Sequence, residues 1–254
     1  LASLGPYDLV TDVPYGPQPR QTLDVYVPRS PRGRHGSIAP RAARPVVIFF
    51  HGGDWSEAYP GKESFRFVGD ALSSRGFVAI LAGYRRYPEA YGGDPTRLFV
   101  MGHSAGAHLA AMVALDDRYL RDAGGDPAWI AGFIGLAGPY SFLPMPEEPL
   151  LRDLFGPPAR YPLSQPVNFA DPLDPPMLLL AGAQDRRVPR VCMDRLADRV
   201  RSHGGRVRTR TFWHLDHIML VGVLAPPLRF FDRGVLNEVS QFVNHVPPTP
   251  AAPP

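Results

Sequence analysis

Lysine and cysteine are almost absent from this 254-residue sequence: Lys62 is the one lysine among 27 basic residues, and Cys192 the one cysteine. A single cysteine excludes an internal disulfide and any CxxC metal or redox motif. A strong charge of either sign is also missing, since 27 basic residues face 24 acidic ones. With no lysine-rich patch, RNA-binding signature or zinc-finger spacing, no nucleic-acid partner is expected. No apolar run approaches the ~20 residues that span a bilayer, so no membrane span is expected either. The composition, with 44% hydrophobic and 20% charged residues, argues for a folded core and against overall disorder. Proline (31) and glycine (25) are what the chain has in plenty, and they imply many turns.

The sequence starts at Leu1 without a visible signal peptide, which a removed one would not leave behind. A soluble protein is expected, cytoplasmic or secreted or periplasmic after loss of an N-terminal segment. Nothing in the sequence sets an oligomeric state. Residues 29–45 are rich in Arg, Gly and Pro and read as a solvated loop. Residues 247–254 hold five prolines and read as a disordered tail after a single domain over 1–246.

Tyr7–Val13 and Thr22–Val27 alternate apolar and polar residues, as in a half-exposed hairpin. Val46–Phe50, Phe77–Ala82, Leu98–Met101, Ile130–Leu136 and Met177–Ala181 are continuous apolar runs, the pattern of strands buried on both faces of a parallel sheet. Val207–Trp213 reads as an edge strand. Helical spacing occupies Ser64–Arg75, Ala105–Leu115, Arg190–His203 and Leu236–Val246. The alternation predicts one α/β domain with a mostly parallel sheet of about eight strands. Two connections break it. Residues 139–176 carry eleven prolines in 38 positions, too many for long regular elements, and read as a lid or rim over a pocket. The crossover Arg85–Arg97 has only thirteen residues, including Pro88, Gly92, Gly93 and Pro95, which leaves no room for the usual helix.

Gly102-His103-Ser104-Ala105-Gly106 lies between an apolar run and an Ala/Leu helical stretch. This is G-x-S-x-G in its strand–turn–helix setting, where small residues let strand and helix approach and Ser104 projects as a nucleophile. The plainer reading, a Gly-rich turn with an incidental serine, ignores that setting. Upstream, His51-Gly52-Gly53-Asp54-Trp55 follows a strand, and its two glycines allow main-chain amides to approach a developing oxyanion. His51 is expected to be structural.

A serine nucleophile needs a base, and the base a carboxylate to orient it. Of the eight histidines, His35 and His245 lie in a loop and beside the tail, His103 and His108 flank the serine, and His203 ends a helix. His214 and His217 follow the last strand, where a base belongs, and spacing does not choose between them. Asp185, in the loop after Met177–Ala181, is the candidate acid; Asp216 and Asp194 are its rivals. A helix N-cap is the plainer role for Asp185.

HGGDW, YRRYPEA, YGGDP, GHSAGAH, GAQDRRVP and DHIMLVGVLAPPLR together resemble the α/β-hydrolase superfamily. The likeness is to its bacterial esterase/lipase branch with an HGGxW oxyanion motif, and to kynurenine-formamidase-like and feruloyl-esterase-like carboxylesterases. It runs from about Pro14 to Val243. The resemblance implies Ser104 as nucleophile, Asp185 as acid, His217 rather than His214 as base, and the amides of Gly52, Gly53 and Ala105 as oxyanion donors. Trp55 would pack near the pocket. Relatives of this type carry a helix where Ala90 here runs straight into Tyr91. Either the protein has lost this helix or the sequence omits it, and loss would bare an apolar sheet face.

The reading is a serine hydrolase that cleaves small-molecule carboxylic esters through an acyl-enzyme, without metal or organic cofactor. The same triad would serve an amidase or arylformamidase, which an aryl formamide assayed beside a matched ester would reveal. A fold kept for binding alone would leave Ser104 unlabelled by a fluorophosphonate probe. A peptidase would ordinarily bring a large extra domain. The apolar residues Tyr140, Phe142, Leu143, Met145, Leu150, Leu151, Leu154 and Phe155 serve an acyl pocket or core packing equally well. Cys192 reads as a small buried hydrophobe.

Overall fold

The computed structural model describes residues 6–17, 21–29, 43–53, 61–82, 93–145 and 149–249. Eight strands, β1 (Tyr7–Pro14), β2 (Thr22–Pro28), β3 (Arg44–Phe50), β4 (Val78–Ala82), β5 (Gly93–His103), β6 (Ile130–Leu136), β7 (Met177–Gly182) and β8 (Val207–Phe212), form one sheet. Among the described residues the α-helices are α1 (Arg66–Ser73), α2 (Ala105–Leu115), α3 (Asp117–Arg121), α4 (Pro149–Phe155), α5 (Val191–Ser202), α6 (Met219–Gly222) and α7 (Gly234–His245).

The strand order is β1-β2-β4-β3-β5-β6-β7-β8. β2 runs antiparallel to both β1 and β4, and every other pairing is parallel. The inner strands bury both faces, which explains their unbroken apolar runs. On one face Val47, Phe49, Leu81, Phe99, Met101 and Leu178 pack against Val68 and Leu72 of α1 and Val235, Val239 and Val243 of α7. On the other, Val100, Phe133, Met177 and Leu179 pack against the alanines of α2 and Leu196 and Val200 of α5. A third apolar cluster holds Val25, Val27, Val46, Val78, Ile80 and Leu98.

The parallel part of the sheet starts at β3, with β4 added on one side and β5 to β8 on the other, so the order reverses between β3 and β5. In such sheets ligands bind beyond the carboxyl ends of the strands at this reversal. Phe50, the last residue of β3, stands opposite Gly102 of β5, which sets the HGG loop and the GHSAG turn side by side.

Several expectations need correction. β2 is not half-exposed: Asp24 and Tyr26, the positions read as solvent-facing, are buried, because Lys62 and the α1 segment lie over them. β5 begins at Gly93, five residues before its apolar run, since Arg44 pairs with Gly93 at the sheet margin where burial is only partial. The proline-rich excursion does hold short helices, α4 and the 3-10 turns Pro158–Ser164 and Pro166–Phe169. Proline opens each of the three, where its missing N–H has no helical partner to lose. The tail is attached through residue 249: the Thr249 N–H donates to the Thr96 carbonyl at 2.8 Å and its hydroxyl to the same oxygen at 3.0 Å. The crossover around Ala90 and Tyr91, most of the Arg-rich loop, Asp54, Trp55 and His35 lie outside the described residues. Among the described residues no helix is long and apolar enough to cross a membrane.

Candidate active site

The turn between β5 and α2 is dictated by its glycines. A Cβ on Gly102 would stand 2.2 Å from the Gly106 carbonyl oxygen, and one on Gly106 2.2 Å from that of Phe50. With hydrogen at both positions, strand, helix and the end of β3 close together. Ser104 between them has φ 55° and ψ −125°, a region that costs a non-glycine residue about 1–3 kcal/mol. Its surroundings hold it there: the Ser104 N–H donates to Leu136 of β6 at 2.9 Å, and its carbonyl accepts the amides of Ala107 and His108. Ala105 is the first residue of α2, where an amide has no intrahelical partner and the helix dipole favours negative charge.

The loop after β3 runs against this turn. A Cβ on Gly52 would come within 3.2 Å of the Ser104 Cβ and 3.0 Å of His103 Nδ1. Gly53 has φ 139°, in the range that favours glycine. The His51 ring stacks on Phe65 with centroids 5.6 Å apart, and its Nδ1 lies 2.8 Å from the Gly52 carbonyl.

His217 lies in the turn after β8 and is buried. Its Nε2 accepts the Ser104 hydroxyl at 2.9 Å, and its Nδ1–H donates to Asp185 Oδ2 at 2.7 Å. Asp185 in turn accepts the Arg187 and Val188 amides on Oδ1 at 2.8 and 2.9 Å. Burial alone would raise its pKa. The hydrogen bonds from His217 and the two amides outweigh that and hold it below the usual carboxylate range.

The rivals are engaged elsewhere. His214 is exposed and binds Asp232 at 2.7 Å. Asp216 accepts the Met219 amide, and Asp194 pairs with Arg190 on the surface of α5. Asp185 does not cap α5, whose N-cap is Arg190; it closes the turn that precedes it. His203 and His245 bond to carbonyls one turn back in their own helices. His108 is buried on α2. Its Nε2–H donates to Ser164 at 2.7 Å, and its ring meets Phe142 and Phe155 edge-on, fastening the proline-rich excursion to the helix behind Ser104. Tyr140 packs edge-on against Phe133 in the core. The bond from His103 to His217, at 2.9 Å, was not foreseeable from spacing, nor was the anchoring of Ser104 on Leu136. Both depend on which strands become neighbours. Among the described residues no three His, Cys, Asp or Glu side chains cluster to hold a metal.

Sheet order, flanking helices and the serine turn at the reversal define the fold of an α/β-hydrolase. Residues 86–199 match the family model described as BD-FAE. Among curated proteins, the chain is similar to a probable isoprenylcysteine alpha-carbonyl methylesterase of Oryza sativa subsp. japonica. The two are 26% identical over 283 aligned positions, with 94% of this chain and 64% of the relative covered. It is also similar to the kynurenine formamidase of Danio rerio, 35% identical over 127 positions, with 42% of this chain and 39% of the relative covered. The chain thus spans less than two thirds of either relative. Since 94% of 254 residues is about 239, about 44 of the 283 positions aligned with the plant protein have no residue here. Among solved structures, a truncated carbohydrate esterase from gut microbiota superposes with a TM-score of 0.74 at 18% identity, covering 96% of this chain and 98% of that one.

Proposed function

We propose that the protein hydrolyses carboxylic esters through a covalent acyl-serine. The observation that carries this reading is the unbroken chain from the Ser104 hydroxyl through His217 to Asp185. Asp185, held ionised, keeps the Nδ1–H tautomer of His217 and leaves the Nε2 lone pair facing the hydroxyl. His217 takes the Ser104 proton as Oγ attacks the ester carbonyl. The amides of Gly52, Gly53 and Ala105 stabilise the resulting oxyanion, and one such donor is worth about 3 kcal/mol. His217 then passes the proton to the departing alcohol. Water, deprotonated by the same histidine, releases the acid and restores the serine.

The methylesterase and formamidase relatives are named for different bonds, an ester and a formamide, so both bond classes are kept for test. An arylformamidase is the second reading, favoured by the 35% identity to the fish enzyme. Turnover of short-chain p-nitrophenyl esters by wild type and Ser104→Ala is the primary test. Equal turnover by the two would refute the assignment, and an aryl formamide assayed beside a matched aryl ester decides which bond is preferred.

A further inference from the structure

His103, the residue before Ser104, stands between the two halves of this site. It is the last residue of β5, and its imidazole is buried. Nε2 lies 2.9 Å from the main-chain carbonyl of His217. A carbonyl only accepts, so Nε2 carries the hydrogen and the neutral ring keeps a lone pair on Nδ1. That buried Nδ1 has no hydrogen-bond partner among the described residues. It faces the oxyanion loop closely enough that a Cβ on Gly52 would stand 3.0 Å from it. The ring centroids of His103 and His217 are 4.9 Å apart.

We propose that His103 is a positioning residue: its Nε2–H fixes the main chain of His217, and its ring sets how closely the Gly52–Gly53 loop approaches Ser104. This rests on the serine-hydrolase reading above. The bond to Asp185 orients the His217 ring, but it does not determine where the main chain that carries the ring sits. That main chain belongs to a turn between β8 and the four-residue α6. β5, by contrast, is a central strand with neighbours on both sides. The His103–His217 bond therefore ties a turn to a strand paired on both sides, 114 residues away. His103 is not a second base for Ser104, because the Ser104 hydroxyl is bonded to His217 Nε2 and the His103 Nδ1 lone pair makes no hydrogen bond to it. Burial, and then the nearby His217, lower its pKa to about 4, so the donor tautomer persists across the neutral range. The ring also accounts for glycine at position 52, since any side chain there would press on both His103 and Ser104.

The test compares His103→Leu, which removes the donor, with His103→Gln, whose amide N–H can take the place of Nε2–H. The readouts are kcat and KM for a p-nitrophenyl ester, the rate of fluorophosphonate labelling at Ser104, and the melting temperature. A base displaced by about an ångström loses ~100-fold in rate. His103→Leu is therefore expected to lose about 10- to 100-fold in kcat and in labelling rate with KM little changed. His103→Gln should recover most of both. Wild-type kcat in the leucine variant, or equal losses in both variants, overturns the proposal. If the leucine variant does not fold, His103→Asn replaces it, because its shorter amide reaches the Nδ1 position and not Nε2. Equal rates for asparagine and glutamine then overturn the proposal. Failure of the hydrolase reading has a different signature, a wild-type protein with neither ester turnover nor labelling of Ser104, and it removes both claims together.

Discussion

A Cβ on Gly106 would stand 2.2 Å from the carbonyl oxygen of Phe50, and that oxygen belongs to the central strand of the sheet. Neither partner can yield, because β3 is paired on both sides and α2 is anchored at Ser104. Gly106→Ala is therefore expected to displace α2 and with it the strained serine. Overpacking of this kind costs about 1–3 kcal/mol or more. In a domain of this size that is a fall of several degrees in melting temperature. Thermal unfolding measured beside labelling of Ser104 checks it. A variant with unchanged stability and labelling would mean that strand and helix are not in this contact.

Asp185 has two duties that one substitution separates. Oδ1 holds the turn through the amides of Arg187 and Val188, while Oδ2 holds His217. Asparagine can still accept the two amides, so Asp185→Asn is expected to fold normally. It cannot supply the charge that fixes the His217 tautomer, and kcat should fall by about 10³- to 10⁴-fold. Steady-state kinetics with an unchanged melting temperature is the expected result. Asp216→Asn, by contrast, touches only the Met219 amide and should leave kcat within about twofold.

The turn from Gly102 to Gly106 was legible in the sequence because its requirement is local: two small residues flanking a serine, with a buried strand before and a helix after. The choice between His214 and His217 was not local. They sit three residues apart, and what separates them is a partner 18 residues on, Asp232, for the first, and Ser104 and Asp185 for the second. Asp24 and Tyr26 show the limit most clearly. Alternation put them in solvent, yet Lys62 and α1 bury them, and no pattern within β2 encodes what folds over it. Thr249 escaped notice likewise, since its partner Thr96 lies in the polar extension of β5.

Acid should unfold the protein through its buried histidines. Burial lowers the pKa of His103 and His108 to about 4, against about 6.5 for a histidine in the unfolded chain. The folded state therefore binds fewer protons between those values. Their contribution to stability is complete above pH ~6.5, declines as pH falls, and levels off below pH ~4. Asp174 acts in the opposite sense: desolvation raises its pKa to about 7, so its contribution is lost as pH rises toward that value. Comparing His108→Gln with wild type isolates one histidine, because the amide can still donate to Ser164 but cannot titrate. Chemical denaturation from pH 7.5 to 4.5 should give the variant a shallower acid slope, by up to one proton. Parallel slopes would mean that His108 is not held neutral by the fold.

The Lys62 ammonium pairs with Asp24, whose side chain is wholly buried, and lies 2.7 Å from Asp12. Burial opposes the charge on Lys62, yet the two carboxylates outweigh it and raise its pKa. Removing Lys62 leaves the buried carboxylate only the more distant, exposed Arg66 guanidinium at 4.0 Å as a cationic partner among the described residues, and breaking a buried pair in this way costs about 3–5 kcal/mol. Lys62→Met is thus expected to be severely destabilised, whereas Lys62→Met combined with Asp24→Leu, which removes the charge as well, should regain much of the loss. A double-mutant cycle in urea gives the coupling directly, and additive effects would show that the pair contributes nothing. Reactivity offers a second check free of mutation. An amine-reactive ester should leave Lys62 unmodified in the native protein and label it once denaturant exposes it, so peptide mapping that finds Lys62 labelled under native conditions would place the ammonium at the surface.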